Sequence, residues 1–320
     1  MDYYRLGRVK WWQTQAYYHA LAEMGREGLL ICYTDTPYVC LGLHDDLEQE
    51  INQEYCTQQR LPLIRRETGG GVVYLDNRQI FFQLVLNRDN PILPLSRTRF
   101  YNKFLTPAIN VCRRLGINAT LKEPADITID TRKCSGNASG DIGEGVAYVG
   151  NLLINFDCEI MCNILRTPSP RYDRILRKTM KSNLTNLSQW SQRSRITREN
   201  IMTMLEKEFS YWFLLNRCSL DEQLEKRAQE VFKRLTAPEW LSMAGRKRPY
   251  RKIKIAEEIY LLEHKITDDV SLSVVVEDGV ITEIDSNSTA INNLIKSHIG
   301  NRWDEDFLNN TVELTQRFTG

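Results

Sequence analysis

The sequence predicts an α+β fold in which mixed β-sheets pack against helices. Three observations lead to this prediction. Short β-branched and aromatic runs are interspersed with segments of helical periodicity, turn-forming residues separate them, and apolar residues make up 42% of the 320 residues. A chain of this length can form a large core domain and a smaller one. A small α/β unit is predicted at the C-terminal end.

The first hundred residues read as one helix followed mainly by strands. Ala16, His19 and Glu23 recur at helical spacing, and Gly25 ends the pattern. After this helix, Thr34-Asp35-Thr36-Pro37 is turn chemistry between two β-rich runs. The predicted elements are a helix at 13–24, strands at 29–33 and 38–41, a helix at 51–59, and strands at 61–65, 72–75 and 80–86.

The middle of the chain combines long helices with short strands. A helix is predicted at 97–115 and closed by Gly116, and β-like runs follow at 127–129 and 152–154. Between these runs, the segment from Cys134 to Gly150 is rich in Gly and Ser, and Ser135-Gly136-Asn137 within it is expected to form a flexible loop. Two more helices are predicted at 197–212 and 220–235.

A change in composition marks a domain boundary near residue 246. Six cations fall within nine residues around Pro249, which predicts an exposed basic connector: Arg246, Lys247, Arg248, Arg251, Lys252 and Lys254. After it come strands at 272–276 and 280–284, a turn at Asp278-Gly279, and an apolar helix around Ile291. We therefore expect a catalytic domain at 1–246 and an accessory domain at 247–320.

The charge balance excludes several classes of protein. Lys plus Arg total 42 and Asp plus Glu total 41, a formal charge of +1, so binding to nucleic acid through bulk charge is not expected. A nucleic-acid-binding module that uses the basic connector remains a competing hypothesis. The apolar runs are too short to span a bilayer, and no apolar leader follows Met1, so a cytoplasmic protein without membrane contact is expected.

Eight cysteines and four histidines offer little for a metal centre. No Cys-x-x-Cys pair occurs, and Cys158 and Cys162, one helical turn apart, have no second ligand pair nearby. We predict no structural metal and expect reduced, largely buried thiols.

The first candidate site is Arg65-Arg66-Glu67-Thr68-Gly69-Gly70-Gly71-Val72-Val73-Tyr74. Three glycines between strand-like runs allow backbone N–H groups to approach an anion, and an upstream Arg supplies donors suited to phosphate or carboxylate. A tight hairpin with a solvated Arg pair remains the simpler interpretation. The segment is not a P-loop, because no Gly-Lys-Ser/Thr follows, and its glycines precede a strand rather than the helix of a dinucleotide fingerprint.

The second candidate site is Lys133, which follows a short strand and precedes Ser135-Gly136-Asn137. A Lys beside a flexible loop can reach an activated carboxyl or a phosphate as a point charge, although an ordinary surface Lys fits the position as well. Cys134 suggests a nucleophile, but no His lies near it in sequence, and a buried structural thiol is the preferred interpretation.

Together these segments resemble the lipoate–protein ligases of the biotin/lipoate ligase superfamily. The matching elements are Arg65-Arg66-x-Thr68-Gly69-Gly70-Gly71-x-Val73-Tyr74, Arg132-Lys133-x-Ser135-Gly136-x-Ala138, Gly150-x-Leu152-Leu153-x-Asn155 and the segment 183–187. Their order and spacing agree with the family over about residues 11 to 215. The hairpin and helix after residue 250 resemble the family's accessory domain.

The resemblance implies an ATP-dependent ligase. Lipoate or octanoate and ATP would give acyl-AMP, and a lysine of an acceptor protein would then take the acyl group. The acceptor would be a lipoyl domain, a glycine-cleavage H-like protein or a free-standing lipoate-binding protein, and Mg²⁺ would accompany ATP. Lys133 would be catalytic, contacting the carboxylate and α-phosphate. The implied nucleotide site is Arg66, Gly69, Gly70, Gly71, Val72, Val73, Tyr74 and Lys133, with Asp126, Ser135, Gly136 and Gly150 as further candidates.

Two departures from the family pattern accompany the resemblance. The family's His-Asp-x-Gly-Asn after the glycine loop is Leu75-Asp76-Asn77-Arg78-Gln79 here, and its His pair is Tyr148-Val149. The main alternative is an acyltransferase that moves octanoyl between carrier proteins through a Cys thioester without ATP. In such an acyltransferase the nucleophilic Cys lies upstream of the Lys motif or near the end of the domain. No Cys occurs between Leu121 and Arg132, directly upstream of Lys133. A biotin ligase is less favoured, because its Gly-Arg-Gly-Arg-x-Gly loop is absent.

Overall fold

A computed structural model describes residues 1–94, 96–191 and 196–304. Its strands, in chain order, are β1 Asp2–Val9, β2 Gly28–Thr34, β3 Tyr38–Leu41, β4 Leu63–Arg65, β5 Val73–Leu75, β6 Gln79–Asn87, β7 Ala119–Lys122, β8 Asp126–Ile129, β9 Arg132–Ser135, β10 Asn137–Ile142, β11 Gly145–Leu153, β12 Asn216–Arg217, β13 Arg251–Ala256, β14 Ile259–Lys265, β15 Ser271–Glu277 and β16 Val280–Ser286. Its helices are α1 Gln13–Glu23, α2 Leu47–Glu50, α3 Gln53–Gln58, α4 Arg97–Arg114, α5 Cys158–Ile164, α6 Pro170–Asn183, α7 Arg198–Ser210, α8 Glu222–Leu235, α9 Pro238–Leu241 and α10 Thr289–Ile295.

The chain divides into two compact units. Among the described residues, the larger unit contains 1–165 and 184–245, and the smaller unit contains 166–183 and 246–304. The smaller unit therefore includes helix α6, which the sequence analysis placed in the larger domain. The division of function at residue 246 stays a prediction.

A six-stranded sheet forms the centre of the larger unit, in the order β10-β11-β6-β2-β1-β12. Strand β1 runs parallel to β2 and β12, whereas β2, β6, β11 and β10 pair antiparallel. Two three-stranded sheets accompany it, β4-β3-β5 and β7-β8-β9. The prediction of an α+β fold with mixed sheets is confirmed.

Strand β6 shows how the central sheet separates two cores. Its side chains alternate, as strand geometry requires. Phe82 and Leu84 enter one core with residues of α4 and α7, and Phe81 and Val85 enter a second core with residues of α1 and α8. Burying each such side chain contributes about 2 kcal/mol. Because both faces of the sheet are covered, residues 80–86 of β6 are all apolar except Gln83.

The Gly- and Ser-rich segment from Cys134 to Gly150, for which no strand is predicted, forms mostly a strand pair. Strand β10 pairs antiparallel with β11 from Asn137–Gly150 to Ile142–Gly145. A Cβ built at Gly150 would overlap the Phe82 ring, and one at Gly145 would lie 3.0 Å from the Cα of Ala22. Gly145 and Gly150 are therefore needed for close packing rather than for a turn.

The smaller unit has a four-stranded antiparallel sheet in the order β13-β14-β15-β16. Helix α10 packs Ile291 and Ile295 against an apolar cluster from β14, β15 and β16. Helix α6 contacts β13 and β15, and its Tyr172 hydroxyl donates to the Leu261 carbonyl oxygen at 3.1 Å. The predicted small α/β domain is confirmed as a fold.

The expected exposed connector is wrong over its second half. Residues Arg251 to Ala256 form strand β13, and Arg251 is buried, with its Nε donating to the Arg166 carbonyl oxygen at 3.0 Å. Lys252 lies 4.2 Å above the Tyr260 ring, and Lys254 pairs with Glu257. Half of the six cations are therefore structural parts of a sheet.

Candidate functional site

The glycine loop connects strands β4 and β5, and Arg66 determines its shape. The Arg66 side chain is buried, and its Nη2 donates to the carbonyl oxygens of Gly69 at 2.7 Å and Gly71 at 2.9 Å. Its Nη1 donates to the Cys40 carbonyl oxygen at 3.2 Å. The guanidinium therefore lies behind the loop and holds its carbonyl groups inward.

The outer side of the loop carries backbone donors that have no protein acceptor. In the part of the chain that the structure describes, the N–H groups of Gly69, Gly70 and Gly71 donate to no other group. A Cβ at Gly69 or Gly71 would have nothing within 4 Å, whereas Gly70 has φ +88°, which favours glycine. Consecutive N–H groups of this kind can form an anion-binding concavity.

The residues after the loop return it to the three-stranded sheet. Val72 and Tyr74 are buried and Val73 is half-buried, and β5 pairs with β3 through Val73 and Cys40. Burial raises the pKa of Tyr74 to about 12, so its hydroxyl stays neutral at physiological pH. Val73 and Tyr74 therefore support the loop by anchoring its end in the sheet.

Lys133 lies on strand β9 and forms an ion pair with Asp126 of the neighbouring strand β8. The Lys133 Nζ is 2.8 Å from the Asp126 Oδ1, with the Lys side chain 20% exposed and the Asp side chain 2% exposed. The backbone N–H of Thr185, within the fourth resemblance motif, donates to the Lys133 carbonyl oxygen at 2.8 Å. Lys133 thus combines a fixed backbone with a partly accessible ammonium group.

Asn151 connects the Lys133 segment to the glycine-loop segment. The Gly136 N–H donates to the Asn151 Oδ1 at 2.6 Å, and the Ser135 hydroxyl donates to the Asn151 carbonyl oxygen at 2.5 Å. The Asn151 amide donates to the Gln79 Oε1 at 2.7 Å, and Gln79 in turn donates to the Tyr74 carbonyl oxygen at 3.2 Å. A chain of buried hydrogen bonds thus joins the two predicted sites.

Strand β10 also approaches the glycine loop. A Cβ built at Gly140 would lie 3.2 Å from the Cα of Thr68. Gly150 is opposite Asn137 in the sheet, and Asn137 donates to the Ala125 carbonyl oxygen at 2.9 Å. Ser135, Gly136 and Gly150 therefore hold the backbone in register. The Ser135 side chain is buried, and the two glycines have no side chain that could act in catalysis.

Cys134 is a buried thiol, as predicted. Its Sγ donates to the Ile127 carbonyl oxygen at 3.4 Å. Hydrogen bonding to Cys112 and burial raise the pKa of the Cys134 thiol well above its usual range. None of the eight cysteines forms a disulfide, and a neutral, inaccessible thiol at position 134 is a poor nucleophile.

Sequence reasoning missed the partners of two buried side chains, Arg65 and His19, which reach backbone groups distant in sequence. The Arg65 guanidinium donates to the carbonyl oxygens of Leu43 at 3.2 Å and Leu241 at 2.6 Å. His19 of helix α1 accepts a hydrogen bond from the Glu67 N–H at 3.1 Å. The resemblance included Arg65, but no local pattern indicates that Arg65 and His19 reach distant backbone groups.

An open cleft of about 490 Å³ contains none of the predicted site residues. It is lined partly by Tyr33, Arg78 and Arg198. Arg78 is paired with the buried Asp76 at 2.8 Å, and Arg198 donates to the Asn77 carbonyl oxygen at 2.7 Å. Both arginines already have protein partners, so size alone does not make this cleft the candidate site.

Residues 1–94, 96–191 and 196–304 show neither a metal-ligand cluster nor a membrane-spanning helix. They contain no group of three or more His, Cys, Asp or Glu side chains placed to hold a metal ion. Their helices include none with the length and apolar character needed to cross a bilayer.

Comparison of the sequence with known proteins gives one family. Residues 8–210 match the family described as the Lipoyl protein ligase A/B catalytic domain. The Lipoate--protein ligase 1 of Staphylococcus aureus is 26% identical over 166 residues, which are 51% of this chain and 48% of that protein. The match thus spans about half the length of this curated relative. The Octanoyltransferase LipM of Kyrpidia tusciae is 21% identical over 230 residues, 64% of this chain and 83% of that protein.

Solved structures share the fold. One from Thermoplasma acidophilum, reported as part of a bi-partite lipoate protein ligase, has a TM-score of 0.67 and 21% identity, and the match covers 78% of this chain and 99% of that one. A P. falciparum protein solved in complex with lipoate has a TM-score of 0.62 and 18% identity, and the match covers 99% of both chains. The second match therefore includes the smaller unit.

Proposed function

Because the chain belongs to the lipoyl protein ligase A/B catalytic-domain family, we propose that it is an ATP-dependent lipoate–protein ligase. In this proposal the chain activates lipoate or octanoate to acyl-AMP and transfers the acyl group to a lysine of an acceptor protein. The lipoate and octanoate names of the relatives support this substrate class. The larger unit would carry the chemistry, and the smaller unit would be accessory.

The observation that carries the proposal is the outer side of the glycine loop. Gly69, Gly70 and Gly71 have three N–H groups without protein acceptors in the described residues, and a Cβ at Gly69 or Gly71 would point into open space. Such groups bind phosphate oxygens well, because the donors are fixed before the ligand arrives. We therefore place the ATP phosphates there. Arg66 and the segment Val72–Tyr74 then act by shaping this loop.

Lys133 is the residue that we assign to the reacting centre. The carboxylate oxygen of the acyl substrate attacks the α-phosphorus of ATP, and pyrophosphate leaves. Two anions meet in this step, and the Lys133 ammonium would offset their repulsion and the charge that develops on the α-phosphate. In the second step the acceptor amine attacks the acyl carbonyl carbon, and AMP leaves. Asp126 would hold the ammonium group in place before ATP binds.

Mg²⁺ enters the proposal with the nucleotide. In this proposal the chain supplies one or two carboxylates to the ion, and the phosphates and water supply its other ligands. That arrangement is typical of Mg²⁺ bound through substrate phosphates. When bound, the ion would neutralise part of the phosphate charge.

The acceptor is proposed as a lipoyl domain, a glycine-cleavage H-like protein or a free-standing lipoate-binding protein. The Thermoplasma acidophilum structure is described together with an E2 lipoyl domain, which supports the first of these. A cytoplasmic location and the absence of a nucleic-acid or membrane partner remain part of the prediction.

The acyltransferase without ATP is the second candidate, and the octanoyltransferase relative favours it. That reaction needs an accessible cysteine to carry the acyl thioester. Cys134 is unsuitable, because it is buried and its pKa is raised well above the usual range, by hydrogen bonding to Cys112 and by burial. Cys158 and Cys218 are less buried, so a thioester on either would support this alternative.

One experiment separates the two candidates. The protein is incubated with ATP and Mg²⁺, with lipoate, octanoate or biotin supplied separately, and pyrophosphate release is measured. We expect release with lipoate or octanoate and none with biotin. A lipoyl domain added afterwards should gain the acyl mass while AMP appears. No pyrophosphate with any acid, together with an acyl thioester from octanoyl carrier protein, would overturn the ligase.

A further inference from the structure

His19 is fully buried in helix α1, and both of its ring nitrogens are used. Nδ1 lies 2.7 Å from the Gln15 carbonyl oxygen, and Nε2 lies 3.1 Å from the backbone nitrogen of Glu67. A carbonyl can only accept, so Nδ1 carries the proton. Nε2 is then an acceptor for the Glu67 N–H. One neutral tautomer therefore satisfies both contacts.

Glu67, which lies between Arg66 and the loop glycines, is the residue of the loop that His19 contacts. Arg66 precedes it and fixes the far end of the loop through the carbonyl oxygens of Gly69 and Gly71. His19 fixes the near end through a backbone group, from a different element. The side chain of Glu67 is also paired with Arg234. The two ends of the loop are thus held by separate buried side chains, with the unpaired N–H groups between them.

We propose that His19 is a positioning residue for the glycine loop, acting through the Glu67 N–H to orient the Gly69–Gly71 donors toward phosphate. The inference rests on the proposed nucleotide-binding role of that loop. His19 touches neither the loop glycines nor their open side, so its effect on a bound nucleotide is indirect. Losing the acceptor would leave the partly buried Glu67 N–H without this partner and release the near end of the loop.

Two variants of similar size isolate the hydrogen bond from packing. His19→Gln retains a strong acceptor at a position close to that of Nε2, whereas His19→Met fills the space with a thioether that accepts only weakly. We expect His19→Met to raise the KM for ATP about tenfold, as expected for loss of one buried hydrogen bond. The KM for the acyl substrate should stay near its original value. His19→Gln should restore the KM for ATP.

Amide hydrogen exchange of the segment 67–72 provides a readout that needs no activity. We expect faster exchange in His19→Met and near-original exchange in His19→Gln, while thermal midpoints of the two variants stay similar. Equal exchange in the two variants, or parallel losses in both KM values and the midpoint, would overturn the inference. If the unmodified protein released no pyrophosphate, the ligase proposal would fail while the exchange comparison still tested His19.

Discussion

The glycine loop and the Lys133 strand are the two predicted anion-binding elements, and they hold their donors in opposite ways. In the loop, the Arg66 guanidinium is turned inward onto carbonyl oxygens, and the outward donors are backbone N–H groups. In the strand, the Lys133 ammonium already has an anionic partner, Asp126, and remains partly exposed. The loop offers fixed dipoles, and the strand offers a full charge that can exchange partners.

The inward direction of Arg66 means that an arginine within a binding motif need not contact the ligand. A charge on a flexible side chain adapts to the reacting atoms, whereas a backbone cradle must be fixed before binding to be effective. Substitutions at Lys133 should therefore act mainly on the chemical step. Substitutions that affect the loop should act mainly on nucleotide affinity.

The largest effect is expected from Lys133→Ala. Loss of the ammonium group should lower the rate of acyl-adenylate formation by at least about 100-fold, since no other charge is assigned to that position. The variant also removes the Lys133 partner of the buried Asp126, at a cost of up to about 3 kcal/mol in folding free energy. Pyrophosphate release and urea denaturation measure the two effects separately.

The matched control is the double variant Lys133→Ala with Asp126→Asn, which removes the buried charge. It should recover most of the folding free energy but not the rate. Recovery of the rate together with stability would show that Lys133 only neutralises Asp126.

The next effect concerns pH and the His19 contact. Burial lowers the pKa of His19 to about 4 in the folded protein, from an ordinary value of 6.5. The unfolded chain therefore binds the proton first as pH falls, and stability is lost below about 6.5, down to the folded pKa. Between pH 7 and pH 5 the loss assigned to His19 is about 2 kcal/mol. Urea denaturation at the two pH values measures it.

His19→Gln, which cannot titrate, provides the control for that prediction. Its unfolding free energy should fall by about 2 kcal/mol less than that of the unmodified protein over the same range. Glu67 on one side and Arg66 and Arg234 on the other act on His19 in opposite directions, and all are retained in this variant. Equal losses would mean that His19 is accessible to protons in the folded state.

A smaller effect is expected from Gly71→Ala. The new Cβ would have nothing within 4 Å, so folding should be nearly unchanged. ATP affinity should fall about tenfold, because the methyl group would occupy the space where the phosphate approaches the backbone. Gly42→Ala is the contrast, since its Cβ would overlap the Gly70 carbonyl and should lower stability. Calorimetric ATP binding and thermal midpoints distinguish them, and unchanged affinity in Gly71→Ala would reduce the loop to a turn.

The smallest effect is expected from Cys134→Ser. A ligase forms no acyl-enzyme on a buried neutral thiol, so the rate should change by less than about twofold. Mass spectrometry of the unmodified protein after incubation with octanoyl carrier protein is the accompanying measurement. An acyl group on Cys134 would favour the acyltransferase.

Elements with clear periodicity could be predicted from sequence. Helix α4 and strand β6 lie within a residue of their expected bounds, because each has apolar residues at the spacing of its own geometry. Strand β13 was hidden by its charges, although Ile253 and Ile255 alternate with lysines. Strand β10 and most of strand β11 have no strand signal in the sequence, because glycines needed for packing against distant residues resemble the glycines of turns.

The residue types of the candidate site and their order could be predicted from the sequence, but the directions of their side chains could not. The positions of Lys133 and of the glycines followed from the motifs. The inward direction of Arg66 depends on Cys40, and the role of His19 depends on Glu67, and both partners are distant in sequence. Such contacts are settled by tertiary packing, for which a single sequence has no local signal.

Helix α6 has a consequence for how this protein can be divided. The helix belongs to the smaller unit by its contacts, yet the chain on both sides of it belongs to the larger one. The polypeptide thus crosses between the units after residues 165, 183 and 245. A fragment ending at residue 245 would retain a helix whose buried residues, including Tyr172, Ile175 and Leu176, had lost their covering sheet. A gene fusion that appended the last 75 residues to an older enzyme would not by itself account for this architecture, because the smaller unit also requires an insertion within the larger one.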